Sequence, residues 1–318
     1  MNILITGIHG FVGANLVMSL KGVHTLYGLD IVSPAKDGVQ ATYSWKDLEA
    51  DAIPPVDAII HLAGKAHDTK NRSKAEAYFQ VNTELTKKVF DYFLRKGCAK
   101  KFIFFSSVKA AADKVVGGVL TEEVVPAPKG PYGESKIAAE RYILGKMETS
   151  GSLMCGKSVY ILRPCMIHGP GNKGNLNLLY GVVRRGIPWP LGSFDNRRTF
   201  TSVDNLCFIV GGLLSRSVAS GIYHVADDES VSTNELIGII CDGLGKKARV
   251  WHLGKRLMAA VARLGTVLHL PLNTERLSKL TESYVVSNAK IKRALGVDRL
   301  PVRARDGLLR TIKSFRPC

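Results

Sequence analysis

The chain has 318 residues, of which 46% are hydrophobic, and a formal net charge of +17. This length and apolar content allow a sizeable buried core. No apolar run reaches the roughly 18–20 residues that cross a bilayer, so no spanning helix is expected. The Lys and Arg residues are scattered instead of forming a basic stripe interleaved with aromatics, and we therefore expect no nucleic-acid partner.

The chain contains six cysteines, with no C-x-x-C pair and no spacing typical of a metal site. Read as reduced thiols, they favour a cytoplasmic protein without a bound metal. No basic and apolar leader precedes the first predicted strand, which begins at residue 2, so no signal peptide is expected.

The N-terminal segment predicts a strand, a glycine turn and a helix. Residues 3–6 form an apolar run of strand length, Gly7, Gly10 and Gly13 follow, and residues 14–20 have helical periodicity. Glycines permit a tight turn, and a helix N-terminus offers N–H groups to an anion. The layout therefore predicts a pyrophosphate site, and an ordinary βαβ turn without a nucleotide is the alternative.

A second predicted strand, residues 25–29, ends at Asp30. A carboxylate at this position accepts hydrogen bonds from the adenosine ribose hydroxyls and repels a 2′-phosphate. No basic residue follows before Lys36. We therefore expect NAD instead of NADP as cofactor. In the alternative, Asp30 only caps a turn and Lys36 swings inward.

Tyr132 and Lys136 are four residues apart in a segment of helical character. If the helix begins near Gly133, the two side chains share one face. A neighbouring ammonium group favours the phenolate and lowers the tyrosine pKa from its ordinary value of about 10. Such a tyrosine can take a proton from a hydroxyl group or return one to a ketone. A surface tyrosine and lysine at the same spacing are the alternative.

Further motifs follow the glycine turn in a characteristic order. They are Asp47 with Leu48, residues 61–64, residues 81–83, residues 104–107, Arg163 with Pro164, residues 169–171 and residues 203–206. With these motifs nearly the whole chain resembles the extended short-chain dehydrogenases/reductases. This NAD-dependent epimerase/dehydratase family includes enzymes like UDP-glucose 4-epimerase and nucleotide-sugar 4-ketoreductases.

The resemblance implies an α/β fold, a Rossmann doubly wound parallel sheet with a smaller C-terminal substrate-binding α/β lobe. The NAD-binding domain is expected at residues 1–165, with contributions from about residues 195–230, and the substrate lobe mainly at residues 166–318.

The resemblance also implies the site residues. The catalytic residues are Ser107, which orients the substrate oxygen, Tyr132 as acid and base, and Lys136, which lowers the tyrosine pKa and holds the nicotinamide ribose. Ser106 and Ser107 could instead only cap a turn. The implied cofactor-binding residues are Gly7, Gly10, Phe11, Val12, Gly13, Asp30, Asp47, Leu48, Leu62, Ala63, Gly64, Asn82, Ser106, Tyr132, Lys136 and Pro164. The implied substrate-binding residues are Lys109, Asn175, Leu176, Arg198 and Arg276.

Departures from the family pattern bear on the reaction. Val108 and Lys109 stand where the 4,6-dehydratases have an Asp-Glu pair, which disfavours dehydration. Met166 replaces an Asn that is usual in the epimerases. We expect a UDP-glucose 4-epimerase-like enzyme acting at C4 of a UDP-hexose. The alternatives are a reductase of a UDP- or lipid-diphosphate-linked 4-keto-6-deoxy sugar in surface polysaccharide synthesis and, more remotely, a non-catalytic NAD(H)-binding sensor.

Tyr78, Val81, Leu85, Val89 and Tyr92 recur at helical intervals. In proteins that the chain resembles, this helix and the Tyr132 helix form a dimer interface. A homodimer is therefore expected, although packing in the core of one chain would leave the same stripe.

A helix is also predicted at residues 255–270, with Leu257, Val261, Leu264 and Leu268 among the apolar residues of one side. It is too short and too charged to span a membrane. Core packing is the expected role of this side, and peripheral contact with a membrane is the alternative. The basic C-terminal third is read by default as a solvated face, or else as a binding surface for a pyrophosphate-bearing substrate.

Overall fold

A computed structural model describes residues 1–65, 74–172, 174–268 and 272–315, apart from the side chain of Asn175. Within these residues the strands are β1 (Asn2–Thr6), β2 (Thr25–Leu29), β3 (Ala41–Tyr43), β4 (Ala58–His61), β5 (Lys101–Phe105), β6 (Ser158–Pro164), β7 (Met166–His168), β8 (Arg197–Arg198), β9 (Phe200–Ser202), β10 (Gly221–Val225) and β11 (Val231–Ser232).

The helices of the described residues include α6, which has 19 residues and is the longest of them. In chain order they are α1 (Phe11–Leu20), α2 (Trp45–Glu49), α3 (Ala75–Phe79), α4 (Leu85–Arg95), α5 (Val108–Ala111), α6 (Pro131–Thr149), α7 (Asn175–Arg184), α8 (Val203–Ser215), α9 (Thr233–Leu244), α10 (Lys255–Val267), α11 (Thr274–Thr281), α12 (Ala289–Leu295) and α13 (Ala304–Lys313). A π-helical turn, Gln80–Glu84, joins α3 to α4, and a 3-10 turn, Gly151–Met154, follows α6.

Seven strands form one sheet in the order β10-β6-β5-β4-β1-β2-β3, and every neighbouring pair is parallel. The chain first moves outward from β1 to β3 and then returns to β4 on the other side of β1. In such sheets ligands bind where the strand order reverses, at the carboxyl ends of the strands. The turns after β1 and β4 are therefore neighbours, and the predicted doubly wound parallel sheet is confirmed.

Both faces of the sheet are covered by helices, which is why its central strands are apolar on both sides. Helices α1, α8 and α12 pack on one face, through residues such as Leu16, Ile209 and Ile291. Helices α4 and α6 pack on the other face, through residues such as Phe90 and Ile143. The segment that contains α8 and β10 thus returns to the sheet after the chain has left it.

A separate apolar core holds the C-terminal lobe together, where α9 packs against α7 and α13. Two small two-stranded sheets, β7 with β9 and β8 with β11, lie outside the main sheet. Residues 283–287 form no regular strand but make isolated bridges, from Tyr284 to Arg198 and from Val286 to Leu120.

The two apolar stripes differ in burial. Tyr78, Val89 and Tyr92 are buried inside the chain, and Val81 and Leu85 are half-buried, so most of this stripe is covered without a second copy. In α10 the opposite holds, because its predicted apolar side is exposed and the expectation of core packing is wrong for most of it. Residues 269–271, at the end of that predicted helix, lie outside the described residues. Among the described residues, no helix combines the length and apolarity needed to cross a membrane.

Candidate active site

The glycine turn after β1 is packed so closely that larger residues would not fit. A Cβ on Gly7, whose φ is +69°, would lie 2.9 Å from the Ala63 amide nitrogen. A Cβ on Gly13 would lie 2.6 Å from the Gly7 carbonyl oxygen. The bare backbone brings the N-terminus of α1 to the carboxyl edge of the sheet, where Phe11 and Val12 begin the helix. This cradle fits a pyrophosphate, because the glycines place no side chain between such an anion and the first amides of α1.

Asp30 follows β2 beside that turn. Its carboxylate accepts hydrogen bonds from the His9 amide at 3.0 Å and from the Ile31 amide at 2.8 Å. The capping alternative is therefore present in the structure, and it holds the carboxylate next to the glycine turn. A role in binding the ribose is compatible with this position and remains a prediction.

Asp47 and Leu48, predicted to contact the cofactor, have structural contacts of their own. Asp47 accepts from the Ser44 amide at 2.7 Å and from the Ser44 hydroxyl at 2.8 Å, which completes a capping box at the start of α2. The Ser44 amide lowers the pKa of the Asp47 carboxyl below its ordinary value. Leu48 is buried in the core beneath the sheet. Both residues follow β3 in the chain, on the same side of the glycine turn as β2.

Asn82 ties the turn after β4 to helix α6. It lies in the π-helical turn, accepts from the Lys65 amide at 2.7 Å and donates to the Ser135 hydroxyl at 3.0 Å. A Cβ on Gly64 would lie 3.0 Å from the Asn82 side-chain oxygen and 3.0 Å from Lys136 Nζ. Leu62, Ala63 and Gly64 thus run directly past the predicted catalytic lysine, and π-helical turns are frequent at such sites.

A buried hydrogen-bond chain that the sequence analysis did not identify supports this turn. His61 Nδ1 lies 2.7 Å from the Thr6 hydroxyl, and His61 Nε2 lies 2.9 Å from the Thr86 hydroxyl. Thr86 donates to the Asn82 carbonyl, so His61 Nε2 carries the proton and donates to Thr86. Burial lowers the pKa of His61 to about 3, which keeps the ring neutral. His61 is therefore a structural link between strands β1 and β4 and the π-helical turn.

The structure brings Ser107 and Tyr132 together. Helix α6 begins at Pro131, two residues before the predicted start, so Tyr132 occupies its first turn. The Tyr132 hydroxyl faces Ser107, whose side chain acts to lower the pKa of the phenol. Ser107 follows β5 and also caps α5, because its hydroxyl accepts from the Lys109 amide at 3.2 Å. The edge of the Tyr132 ring meets Tyr78, with ring centroids 6.4 Å apart. Ser107 thus both caps a helix and contacts the predicted acid/base.

Burial raises the pKa of Tyr132 above 10, and the Ser107 side chain only partly opposes it. The lowering that the sequence predicts from Lys136 is therefore wrong for this arrangement. Lys136 Nζ donates to the Phe105 carbonyl oxygen at 2.9 Å and lies 5.0 Å from the centre of the Phe104 ring. Burial lowers the pKa of Lys136 to about 8, against the opposing effect of the Glu140 carboxylate.

A second feature missed from the sequence lies one helical turn beyond Lys136. Glu140 is fully buried and forms an ion pair with the buried Arg163, at 2.6 Å between Arg163 Nη2 and Glu140 Oε2. Ser106 donates its hydroxyl to the same carboxylate, so its side chain is engaged there. The spacing of four residues after Lys136, and a lone arginine in the apolar run of β6, were the available signals. Pro164 follows this arginine at the carboxyl end of β6.

Two of the predicted substrate residues, Lys109 and Arg198, contact the segment that follows α11. Lys109 Nζ donates to the Asp113 carbonyl at 2.7 Å and lies 4.6 Å from the centre of the Tyr284 ring. Arg198 donates to the Glu282 carbonyl at 3.1 Å and to the Lys279 carbonyl, and burial lowers its pKa. Tyr284, which was not predicted, joins the two regions because its hydroxyl donates to the Ala112 carbonyl at 2.6 Å.

The other predicted substrate residues are placed differently. Leu176 is buried in the core of the C-terminal lobe, and Arg276 lies on the exposed side of α11. The side chain of Asn175 lies outside the described residues. Of the five, the structure therefore brings only Lys109 and Arg198 to a shared segment.

The titratable side chains show no metal centre. Within the described ranges, no group of three or more His, Cys, Asp and Glu side chains is arranged to hold a metal ion. The cysteines in these ranges are free thiols.

Comparison with known proteins gives a consistent family. The profile of the NAD dependent epimerase/dehydratase family matches residues 3–226. A UDP-glucose 4-epimerase of Vibrio cholerae is 32% identical over 267 residues, which cover 79% of this chain and 78% of that protein. The N-acetyl-alpha-D-glucosaminyl-diphospho-ditrans,octacis-undecaprenol 4-epimerase of Escherichia coli O157:H7 is 27% identical over 299 residues, covering 92% and 85% of the two chains.

Among solved structures, the UDP-glucuronic acid 4-epimerase of Bacillus cereus in complex with NAD superposes with a TM-score of 0.74. The alignment covers 99% of this chain and 98% of that one at 18% identity, so it establishes the shared fold.

Proposed function

Because the chain belongs to the NAD-dependent epimerase/dehydratase family, we propose that it acts by hydride transfer at C4 of a nucleotide-linked sugar. NAD is the cofactor of this family, and bound NAD would accept the hydride and return it. The observation that carries the proposal is the placement of Ser107 next to the Tyr132 hydroxyl, with Lys136 Nζ beside the Gly64 turn at the carboxyl edge of the sheet.

The roles of the three residues follow from their surroundings. Tyr132 exchanges a proton with the C4 oxygen, and Ser107 orients that oxygen. The raised pKa of Tyr132 keeps the phenol protonated at neutral pH, which suits protonation of a ketone. Removal of a proton requires the Lys136 ammonium to leave the Phe105 carbonyl and approach the phenol, because a nearby cation stabilises the phenolate.

We propose a UDP-hexose as substrate and epimerisation at C4 as the reaction. The UDP-glucose 4-epimerase of Vibrio cholerae supports this choice. Val108 and Lys109 argue against dehydration, since neither side chain offers the carboxyl group that water loss needs. Arg198 would bind the diphosphate after exchanging its two backbone carbonyls for phosphate oxygens, a geometry that suits a guanidinium group.

A lipid-diphosphate-linked sugar is the second candidate substrate. The relative from Escherichia coli O157:H7, named for a diphospho-undecaprenol-linked sugar, matches 92% of this chain. Met166, where epimerases usually have Asn, keeps reduction of a 4-keto-6-deoxy sugar open as the second candidate reaction.

The deciding experiment is incubation with UDP-glucose, UDP-N-acetylglucosamine and a UDP-4-keto-6-deoxy sugar, each with and without added NADH. Interconversion of C4 epimers without added NADH is the expected result. Consumption of one NADH per 4-keto sugar would instead identify a reductase. Absence of turnover on these sugars and on a lipid-linked hexose, with NAD still bound, would leave a non-catalytic sensor.

Three further features belong to the same proposal. The part after residue 165 would hold the sugar nucleotide.

Two copies would meet through α4 and α6, which pack side by side on one face of the sheet, although the buried Tyr78 stripe gives this dimer no support. The free thiols favour the cytoplasm, with peripheral membrane contact through α10. Light scattering of the purified chain tests the dimer, since a monomeric mass at micromolar concentration would exclude it.

A further inference from the structure

Helix α10 leaves an apolar side uncovered. Leu257, Val261, Leu264 and Leu268 are 55%, 43%, 58% and 57% exposed, and Val267 is 73% exposed. The same helix buries Met258, Ala262 and Gly265 against the C-terminal lobe. The exposed residues are therefore a second apolar surface and not the edge of the core.

The two surfaces are separated on the helix. At 3.6 residues per turn, Leu257, Val261 and Leu264 fall on one line, and the buried residues lie about a quarter of a turn away. Arg256 and Arg263 lie about a third of a turn away on the other side. The helix thus has one side that packs against the C-terminal lobe, one exposed apolar side, and a basic border formed by Arg256 and Arg263. The 13 residues of the helix span roughly 20 Å, and the exposed strip from Leu257 to Leu268 covers about 16 Å.

The segment of the sequence that contains the strip is basic. Between Asp242 and Glu275 the sequence contains no carboxylate side chain. It does contain six basic residues, and all are exposed: Lys246, Lys247, Arg249, Lys255, Arg256 and Arg263. Among the described residues, none of the six forms an ion pair. Trp251, four residues before the helix, is 55% exposed and adds an amphipathic aromatic group.

We propose that the exposed side of α10 docks on the surface of an anionic lipid bilayer. An amphipathic helix with a basic polar border lies in the plane of the interface, with its apolar residues at the boundary between headgroups and acyl chains. The basic residues then contact anionic headgroups, and an exposed tryptophan suits the same depth.

Charge complementarity separates this occupant from a second copy of the chain. A two-fold contact through α10 would place the same basic border on both sides of the interface. Like charges facing each other oppose association, whereas anionic lipid attracts the two arginines of this border. The inference rests on the surface of α10 alone and does not depend on the proposed reaction.

The test is sedimentation of the full chain with vesicles of phosphatidylcholine alone and of phosphatidylcholine with phosphatidylglycerol. Val267→Glu and Val23→Glu form a matched pair, because the two valines are 73% and 74% exposed and each change adds the same charge. Leu264→Glu is a second variant, on the line of Leu257 and Val261, whereas Val267 lies about a sixth of a turn from Leu264 toward the arginines. Thermal unfolding of all three variants checks that they remain folded.

The expected result is binding to the anionic vesicles that weakens with added salt. Leu264→Glu and Val267→Glu should each lower the partition coefficient by about tenfold or more. Each change places a charge where the bilayer would otherwise bury an aliphatic side chain. Val23→Glu should stay within about twofold of the wild type, because long-range charge alone acts weakly at physiological salt.

Equal binding to both kinds of vesicle would overturn the proposal, as would equal losses in the matched pair. A wild-type dimer that Leu264→Glu converts to a monomer, with vesicle binding unchanged, would show that α10 contacts a second copy instead. Turnover of a water-soluble UDP-sugar should be unaffected in all three variants, so failure here is distinct from failure of the proposed reaction.

Discussion

Helices α6 and α10 reverse the usual distribution of polar and apolar residues in opposite ways. Helix α6 buries Ser135, Lys136 and Glu140, while α10 exposes a line of leucines and valines. A buried charge is costly unless it is paired or hydrogen-bonded, and an exposed apolar strip has no such compensation inside the chain.

This difference shows where the interaction partners of each helix lie. In α6 the partners are internal, because Glu140 has Arg163 and Lys136 has the Phe105 carbonyl. Helix α10 contains no carboxylate side chain of its own, and nothing in the described chain covers Leu257 or Leu264. The first helix is therefore organised around chemistry within the molecule, and the second around contact outside it.

The largest effect is expected from Tyr132→Phe, which removes only the proton-transferring atom of α6. Turnover should fall by about 10²–10⁴-fold, the usual contribution of general acid–base catalysis. Bound NAD content and thermal stability should remain close to those of the wild type. Steady-state kinetics with a UDP-sugar measures the loss. Near-normal turnover would show that the buried polar side of α6 is structural only.

Glu140→Gln tests whether the buried charges of α6 depend on their internal partner. Loss of one member leaves Arg163 buried without a countercharge, which should lower the free energy of unfolding by about 3–5 kcal/mol. The matched control is Glu275→Gln, which breaks an exposed pair with Lys279 and should cost about 0.5 kcal/mol or less.

Urea unfolding of the two variants gives both values. Equal losses would mean that burial does not distinguish the two ion pairs. The Glu140 carboxylate also raises the pKa of Lys136, so the pH profile of activity should shift in the first variant and stay in place in the control.

A smaller effect is expected from Asp30→Asn, which sharpens the description of the nucleotide end of the site. The amide keeps an acceptor for the His9 N–H group but loses the charge that repels a 2′-phosphate. The preference for NADH over NADPH should shrink by about tenfold, as expected for one charge-assisted contact. Titration of both dinucleotides by fluorescence measures the preference. Tighter NADPH binding by the wild type would contradict the cofactor assignment itself.

The smallest effect concerns pH and the neutral His61 beneath the site. Its pKa is about 3 in the folded chain and about 6.5 when unfolded, so between these values only the unfolded chain takes up the proton. Stability should therefore fall as the pH drops below 6.5, by about 1.4 kcal/mol per pH unit from this group. His224, whose pKa burial lowers to about 4, acts in the same direction.

Unfolding free energies of the wild type and His61→Gln at pH 7.5 and pH 5.5 check this dependence. The variant should be less stable at both pH values, because it perturbs the hydrogen bonds to Thr6 and Thr86. Its loss on acidification should nevertheless be smaller. An identical pH slope in both proteins would show that His61 is already protonated or is exposed to solvent.

Local motifs allowed the fold and part of the site to be predicted. The glycines after β1, the acid after β2 and the Tyr132–Lys136 spacing each depend on residues close in sequence, and they fall at the carboxyl edge of the sheet as expected. The sign of the Tyr132 pKa shift was not predictable in the same way. It depends on how deeply the phenol is buried and on where the Lys136 ammonium points, which no spacing reveals.

The sequence by itself determined the order of strands and helices, the nucleotide turn and the identity of the family, because periodicity, glycines and motif spacing are local properties of the chain. Only the tertiary structure decided which polar groups are paired and which apolar groups are left uncovered. Glu140 meets Arg163 across 23 residues of chain, and Lys109 meets Tyr284 across 175. One side of α10 looks like core in a helical projection, and packing against the lobe through Met258 and Ala262 is what turns that side outward.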